Sequence, residues 1–109
     1  MNWIALDSPQ GLDNIIAHSH ERPQLIFKHS TRCSISHMAK SRLERGPLSP
    51  DIDYHYLDLL QFRPVSNQIA EQFNIHHESP QILLIKNGEC IYEESHNGID
   101  PEEILLQCN

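Results

Sequence analysis

The chain has 109 residues, 39% of them apolar, and a formal net charge of −7. That length suits one domain, residues 1–109, with a single ordinary core, and no apolar run approaches the ~20 residues that a membrane-spanning helix needs. The negative charge argues against a general nucleic-acid-binding surface.

The charge is unevenly placed. Between Arg22 and Ser49 lie six basic residues, Arg22, Lys28, Arg32, Lys40, Arg42 and Arg45, against one acid, Glu44; this window is +5 and the rest of the chain is −12. The start, Met1-Asn2-Trp3-Ile4, lacks a basic segment followed by a long apolar stretch, so no secretory leader is expected and the cytoplasm is the expected compartment. Three widely spaced cysteines, Cys33, Cys90 and Cys108, make a poor disulfide framework and suit a reducing compartment.

Along the chain, strand and helix patterns alternate. Trp3 to Leu6 reads as a short strand. Ser8 and Pro9 then supply a cap and a first helical residue, with Leu12, Ile15 and Ile16 on one face. Gln24 to His29 reads as a second strand, and a second helix starts at Cys33 with Ile35, Met38, Ala39 and Leu43 inward. Gly46 and Pro47 stop it. Asp53 to Leu59 reads as a third strand, and Pro64 opens a third helix with Val65, Ile69, Ala70 and Phe73 inward. The apolar run Gln81 to Ile85 is a strand covered on both faces, and Asn87-Gly88 turns it into a partner at Glu89 to Ser95. Asp100 caps a last helix, Pro101 takes its first position and Glu103 completes a capping box, with Ile104, Leu105 and Cys108 toward the core. The order βαβαβαββα predicts parallel crossovers among the first four strands and a terminal antiparallel hairpin. The fold class is α/β, a mixed central sheet with helices on both faces.

Cys33 is the residue that this order singles out. It stands between a strand end and a helix start, where ligands bind in open α/β sheets. A helix N-terminus offers free N–H groups and partial positive charge, and Arg32 acts in the same direction. Cysteines in such settings titrate at ~3.5–7.5 instead of ~8.5, and the thiolate is the nucleophile. Ser36 occupies the position where a two-cysteine motif would carry its resolving thiol. A serine there can donate a hydrogen bond to the thiolate but cannot close a disulfide. Cys90 and Cys108 read as packed apolar side chains.

The segment Lys28-His29-Ser30-Thr31-Arg32-Cys33-Ser34-Ile35-Ser36 resembles the active-site segment of the monothiol bacilliredoxins, the thioredoxin-fold proteins of the bacillithiol system. Two further stretches carry the resemblance in the same order: Arg63 to Phe73, and His77-Glu78-Ser79-Pro80-Gln81 followed by Ile82 to Gly88 and then Ser95-His96. The resemblance implies a thioredoxin fold with Pro80 as a cis-proline facing Cys33. It implies removal of bacillithiol, or a similar low-molecular-weight thiol, from protein mixed disulfides. The small thiol would be a cosubstrate, with no tightly bound cofactor, and S-thiolated client proteins would be the partners. Thr31, Ser34, Ser79 and Pro80 would contact substrate, with Cys33, Arg32 and Ser36 as the reacting group and its support. Ser34 departs from the family, which usually has proline there. On residue reasoning alone, Pro80 reads as an ordinary proline at the first position of a strand.

Two other readings stand beside this one. A thioredoxin-like scaffold could dock partners through the same groove without turnover. A metal carrier draws on eight histidines, with His29, Cys33 and His37 spaced by four and His76 beside His77. Since no tight pair such as Cys-x-x-Cys accompanies them, no metal site is expected.

Overall fold

The computed structural model describes residues 1–108. Its elements are β1 (Ile4–Ala5), α1 (Pro9–His18), β2 (Gln24–His29), α2 (Ser34–Arg45), β3 (Asp53–Asp58), α3 (Arg63–Phe73), β4 (Gln81–Lys86), β5 (Glu89–Ser95), a 3-10 turn (His96–Gly98) and α4 (Pro101–Gln107). The sheet runs β1-β3-β2-β4-β5. β3 lies parallel to both β1 and β2, whereas β4 is antiparallel to β2 and to β5.

The direction of β4 corrects the sequence expectation of parallel crossovers through all four strands. Pattern alternation reports element type but not direction. Here α3 is followed by the segment 74–80, which returns the chain to the end of the sheet it had left. Asn74 starts that return: it ends α3 in the left-handed conformation (φ 53°), which Asn tolerates better than most residues. β4 therefore starts opposite the end of β2, with Gln81 paired to Lys28 and Ile85 to Gln24.

Side-chain alternation along the two central strands divides the core. Leu25, Phe27, Ile82 and Leu84 face α2 and α4, meeting Ala39, Leu43 and Ile104. Ile26, Leu83 and Ile85 face α1 and α3, meeting Leu12, Ile15, Val65 and Ile69. Both faces of β2 and β4 are thus buried, as a near-continuous apolar run requires.

Local signals act where the sequence places them. Ser8 accepts the Gly11 N–H at 3.1 Å and Pro9 opens α1. Asn87 and Gly88 both take positive φ (54° and 78°), the conformation of a type I′ hairpin turn. Asp100 caps α4 by accepting the Glu102 N–H at 3.0 Å. Glu103 does not close a capping box; its carboxylate accepts from the Gln107 side chain instead.

The inward face of α2 differs from expectation. Ser36, Ala39 and Leu43 are buried, while Ile35 and Met38 are 44% and 59% exposed. Positions 36, 39 and 43 form their own i, i+3, i+7 stripe, and Ser36 takes the inward place because two polar partners await it below the helix. Cys90 and Cys108 pack half-buried against the two cores, one on each face.

Candidate active site

Cys33 is the N-cap of α2, with extended backbone (φ −111°, ψ 121°), directly beyond the carboxyl end of β2. Its N–H donates to the Ser30 carbonyl at 3.2 Å, and its own carbonyl accepts the His37 N–H at 3.1 Å. The turn that carries the sulfur is therefore held on both sides. Cys33 is partly exposed, and no acid occupies the first turn of α2. The helix-end N–H groups thus face the sulfur's surroundings without a competing carboxylate. Ser34 is the first helical residue, the position where proline is also accommodated.

Ser36 has a different role from the one its spacing suggests. It is fully buried, accepts the Ser30 N–H at 3.0 Å, and lies 2.6 Å from His29 Nδ1. The sequence expectation paired this hydroxyl with the Cys33 sulfur. Instead it ties the loop after β2 to the first turn of α2, because the inward phase of the helix carries it under the loop. His29 is also buried, tilted against Phe27 and Tyr56 and edge-on to His37 at centroid distances of 5.5, 5.4 and 4.8 Å. Burial, reinforced by the His37 and Lys40 charges, pushes its pKa down to about 4. At that value His29 is neutral, and its Nδ1 shares one hydrogen bond with the Ser36 hydroxyl.

His37 lies with Nε2 2.8 Å from the Thr31 carbonyl, which makes that nitrogen a donor. These contacts engage His29 Nδ1 and His37 Nε2 within the fold, and among the described residues no cluster of three or more His, Cys, Asp or Glu could hold a metal ion.

The basic window does not form one field. Arg22 pairs with Asp53 at 3.3 Å, Lys40 with Glu44 at 2.8 Å, and Arg42 donates to the carbonyls of Ile99 and His96. Lys28 is buried, and Arg45 lies in the last turn of α2. Arg32 is exposed and adjacent to Cys33, the basic residue best placed to act on an incoming substrate.

The second half of the site comes from the start of β4. The Ser79–Pro80 peptide bond is cis. Pro80 is buried, and its carbonyl accepts the His96 N–H at 3.0 Å. Pairing of Gln81 with both Lys28 and Ser95 puts Pro80 at the same sheet end as His29 and the loop to Cys33. Ser79 Oγ is buried with no hydrogen-bond partner among the described residues.

Sequence reasoning missed several residues here. Lys28, Ser66 and His77 meet under the 74–80 segment, and His96 takes a left-handed backbone (φ 54°) beside Pro80. A lysine directly after the apolar run Leu25-Ile26-Phe27 was the one signal in the residue pattern for the first group. His96 was marked in the sequence only by its place in the family resemblance, because its contacts, with the Pro80 carbonyl and the Arg42 side chain, come from distant parts of the chain.

Comparison with known proteins agrees with this geometry. The family model described as monothiol bacilliredoxin BrxC matches residues 4–104. A solved structure described as a candidate oxidoreductase with a thioredoxin fold is 30% identical, with a TM-score of 0.83, over 95% of this chain and 91% of that one. Thioredoxin from Malassezia sympodialis is similar in fold at 15% identity and a TM-score of 0.77, over 99% of this chain and 92% of that one. Fasciola hepatica thioredoxin matches at 15% identity and a TM-score of 0.72, over 95% and 94% of the two chains. With one cysteine at the head of α2 and a family match across nearly its whole length, the chain belongs to the monothiol bacilliredoxin family, and it is a thioredoxin-fold protein with a redox role.

Proposed function

We propose that this protein removes bacillithiol, or a similar low-molecular-weight thiol, from mixed disulfides on client proteins. The observation that carries the reading is the pairing of Cys33 at a helix N-terminus with a buried serine, not a second thiol, at position 36. Cys33 can attack a disulfide but has no motif partner to resolve the product.

The chemistry follows in two exchanges. The Cys33 thiolate attacks the sulfur of the small thiol in the mixed disulfide. The client sulfur leaves as a thiolate and takes a proton from solvent, and the small thiol remains disulfide-bonded to Cys33. A second molecule of the thiol, as its thiolate, attacks that bond. It releases the symmetric small disulfide and restores Cys33. No tightly bound cofactor is needed, and the small thiol is a cosubstrate. Backbone groups of Ser79 beside Pro80 align the client segment as an added strand, with Thr31 and Ser34 flanking it. Arg32 attracts the carboxylates of an anionic thiol. Thiolated client proteins in a reducing cytoplasm are the partners; neither nucleic acid nor membrane enters the reaction.

The test is a client protein carrying one bacillithiol mixed disulfide, mixed with this protein and followed by intact mass. The expected result is loss of the adduct from the client and its appearance on Cys33, abolished by Cys33→Ser. Failure of the adduct to leave the client, with Cys33 reduced and accessible to alkylation, would overturn the reading and leave a protein-binding role for the groove.

A further inference from the structure

Lys28 belongs to the inward face of β2 and is 0% exposed, yet among the described residues it joins no ion pair with a carboxylate. Its acceptors are His77 Nδ1 at 3.2 Å and the Ser66 carbonyl at 3.4 Å. An ammonium group only donates, so His77 Nδ1 is the acceptor and its proton sits on Nε2. The surroundings favour a neutral ring: burial, and after it the charges of Lys28 and Arg63, hold His77 below its ordinary pKa, with Glu78 opposing. The Ser66 hydroxyl lies 3.4 Å from the same ring nitrogen.

A buried cation with two neutral acceptors is a costly arrangement. Desolvation of the charge is only partly returned by hydrogen bonds, and replacing such a group by an apolar side chain of similar volume often stabilises a fold. Burial pushes the Lys28 pKa down to about 8, the direction expected when the charged form is penalised. What the cost secures is visible in the chain path. His77 lies in the segment 74–80, three residues before Pro80; the backbone bonds of that segment sit at its ends, from Asn74 and Ile75 to α3 and at the Pro80 carbonyl, the Gln81 side chain holds the Glu78 N–H and the His76 carbonyl, and His77 itself is held from below by Lys28 and Ser66. Lys28 is meanwhile anchored in the sheet by its register with Leu57 and Gln81.

We propose that Lys28 is a positioning residue for thiol exchange: through His77 and Ser66 it holds the 74–80 segment so that Ser79 and Pro80 present a fixed edge to the client chain. The inference rests on the exchange reading above and adds a residue that does not touch the reacting sulfur. It also accounts for a charged group on the buried face that β2 shares with Ile26.

The test uses Lys28→Met, which keeps the unbranched stem and removes the charge. Four readouts are expected to diverge. The melting temperature rises by about 4 °C or more. Deuterium uptake in 74–80 increases. Exchange with a protein mixed disulfide slows about tenfold, mainly through a higher KM, in line with the sensitivity of such reactions to small misplacements. Alkylation of Cys33 by iodoacetamide stays at the wild-type rate. His77→Leu is expected to slow exchange similarly, and His77→Gln, which restores an acceptor, to recover it; these variants at a half-buried position serve if Lys28→Met fails to fold. Exchange within twofold of wild type in Lys28→Met or His77→Leu would overturn the positioning role. So would a fall in Cys33 alkylation parallel to the fall in exchange, which would mean general damage. Absence of exchange in the wild type would instead overturn the function reading, and the inference with it.

Discussion

Replacing Ser36 by cysteine tests whether the single-thiol character resides in that one side chain. Residues three apart on a helix have Cβ atoms about 5–6 Å apart. A disulfide needs Cβ atoms about 3.5–4.5 Å apart, so Ser36→Cys reaches Cys33 only after the first turn of α2 rotates locally. The cost is legible in the contacts. The new thiol must leave the Ser30 N–H and His29, which the hydroxyl bonds at 3.0 and 2.6 Å. Weakening those buried bonds costs ~1–3 kcal/mol. Closing so short a loop returns ~2 kcal/mol by the chain-entropy relation. The reduced variant should therefore melt lower than wild type, by about 4–8 °C per kcal/mol lost, and the oxidised variant should recover most of that. Two measurements check this: melting with and without reductant, and intact mass after mild oxidation, where an internal disulfide appears as the loss of two hydrogens. A small-thiol adduct formed on Cys33 of the variant should also be short-lived, because the new thiol expels it. A persistent adduct on Cys33 in Ser36→Cys, or a wild type that itself forms a Cys33–Cys90 or Cys33–Cys108 bond, would refute the reasoning.

Arg32→Ala should slow exchange with an anionic mixed disulfide more than with a neutral one, and added salt should narrow the gap, since screening acts over ~8 Å at physiological ionic strength. Arg45→Ala, ~18 Å away by the helix rise, should show almost none of this; equal effects of the two variants on both substrates would mean that charge near Cys33 does not select the thiol. Partial alkylation followed by peptide mapping should find Cys33 modified well before Cys90 and Cys108, whose thiols burial holds above their ordinary pKa; equal labelling of all three would contradict the packing described. His29 and His55 are both pushed down to about 4, chiefly by burial. At these two rings the unfolded chain binds more protons than the folded one between about pH 4 and 6.5, so their contribution to stability is constant above that window and falls as pH drops through it. Urea midpoints should decline across that range, and His55→Gln should flatten the decline; a wild-type profile flat from pH 6.5 to 4 would show that neither ring stays neutral in the fold.

The local elements were legible in the sequence because each is signalled by neighbours in the chain. Ser8-Pro9, Asn87-Gly88 and Asp100-Pro101 mark starts and turns through backbone preferences that need no tertiary partner. The apolar run at Gln81 to Ile85 marked a strand buried on both faces, and the place of Cys33 followed from one strand end meeting one helix start. What depended on the tertiary structure were quantities set between distant segments. The direction of β4 came from the return path of 74–80, not from any pattern within the strand. The inward phase of α2 was decided by what lay beneath it, so that Ser36 turned in and Ile35 and Met38 turned out. The basic window dissolved because Arg22 and Lys40 found carboxylates and Arg42 found carbonyls in space, while Arg32 stayed exposed beside Cys33. Lys28, read from sequence as one more positive charge near the cysteine, was sealed into the core against His77 and Ser66. Sequence order determines which backbone conformations are locally favourable. Only the packed sheet determines which polar groups must find each other, because the cost of an unmatched group arises when water has been removed.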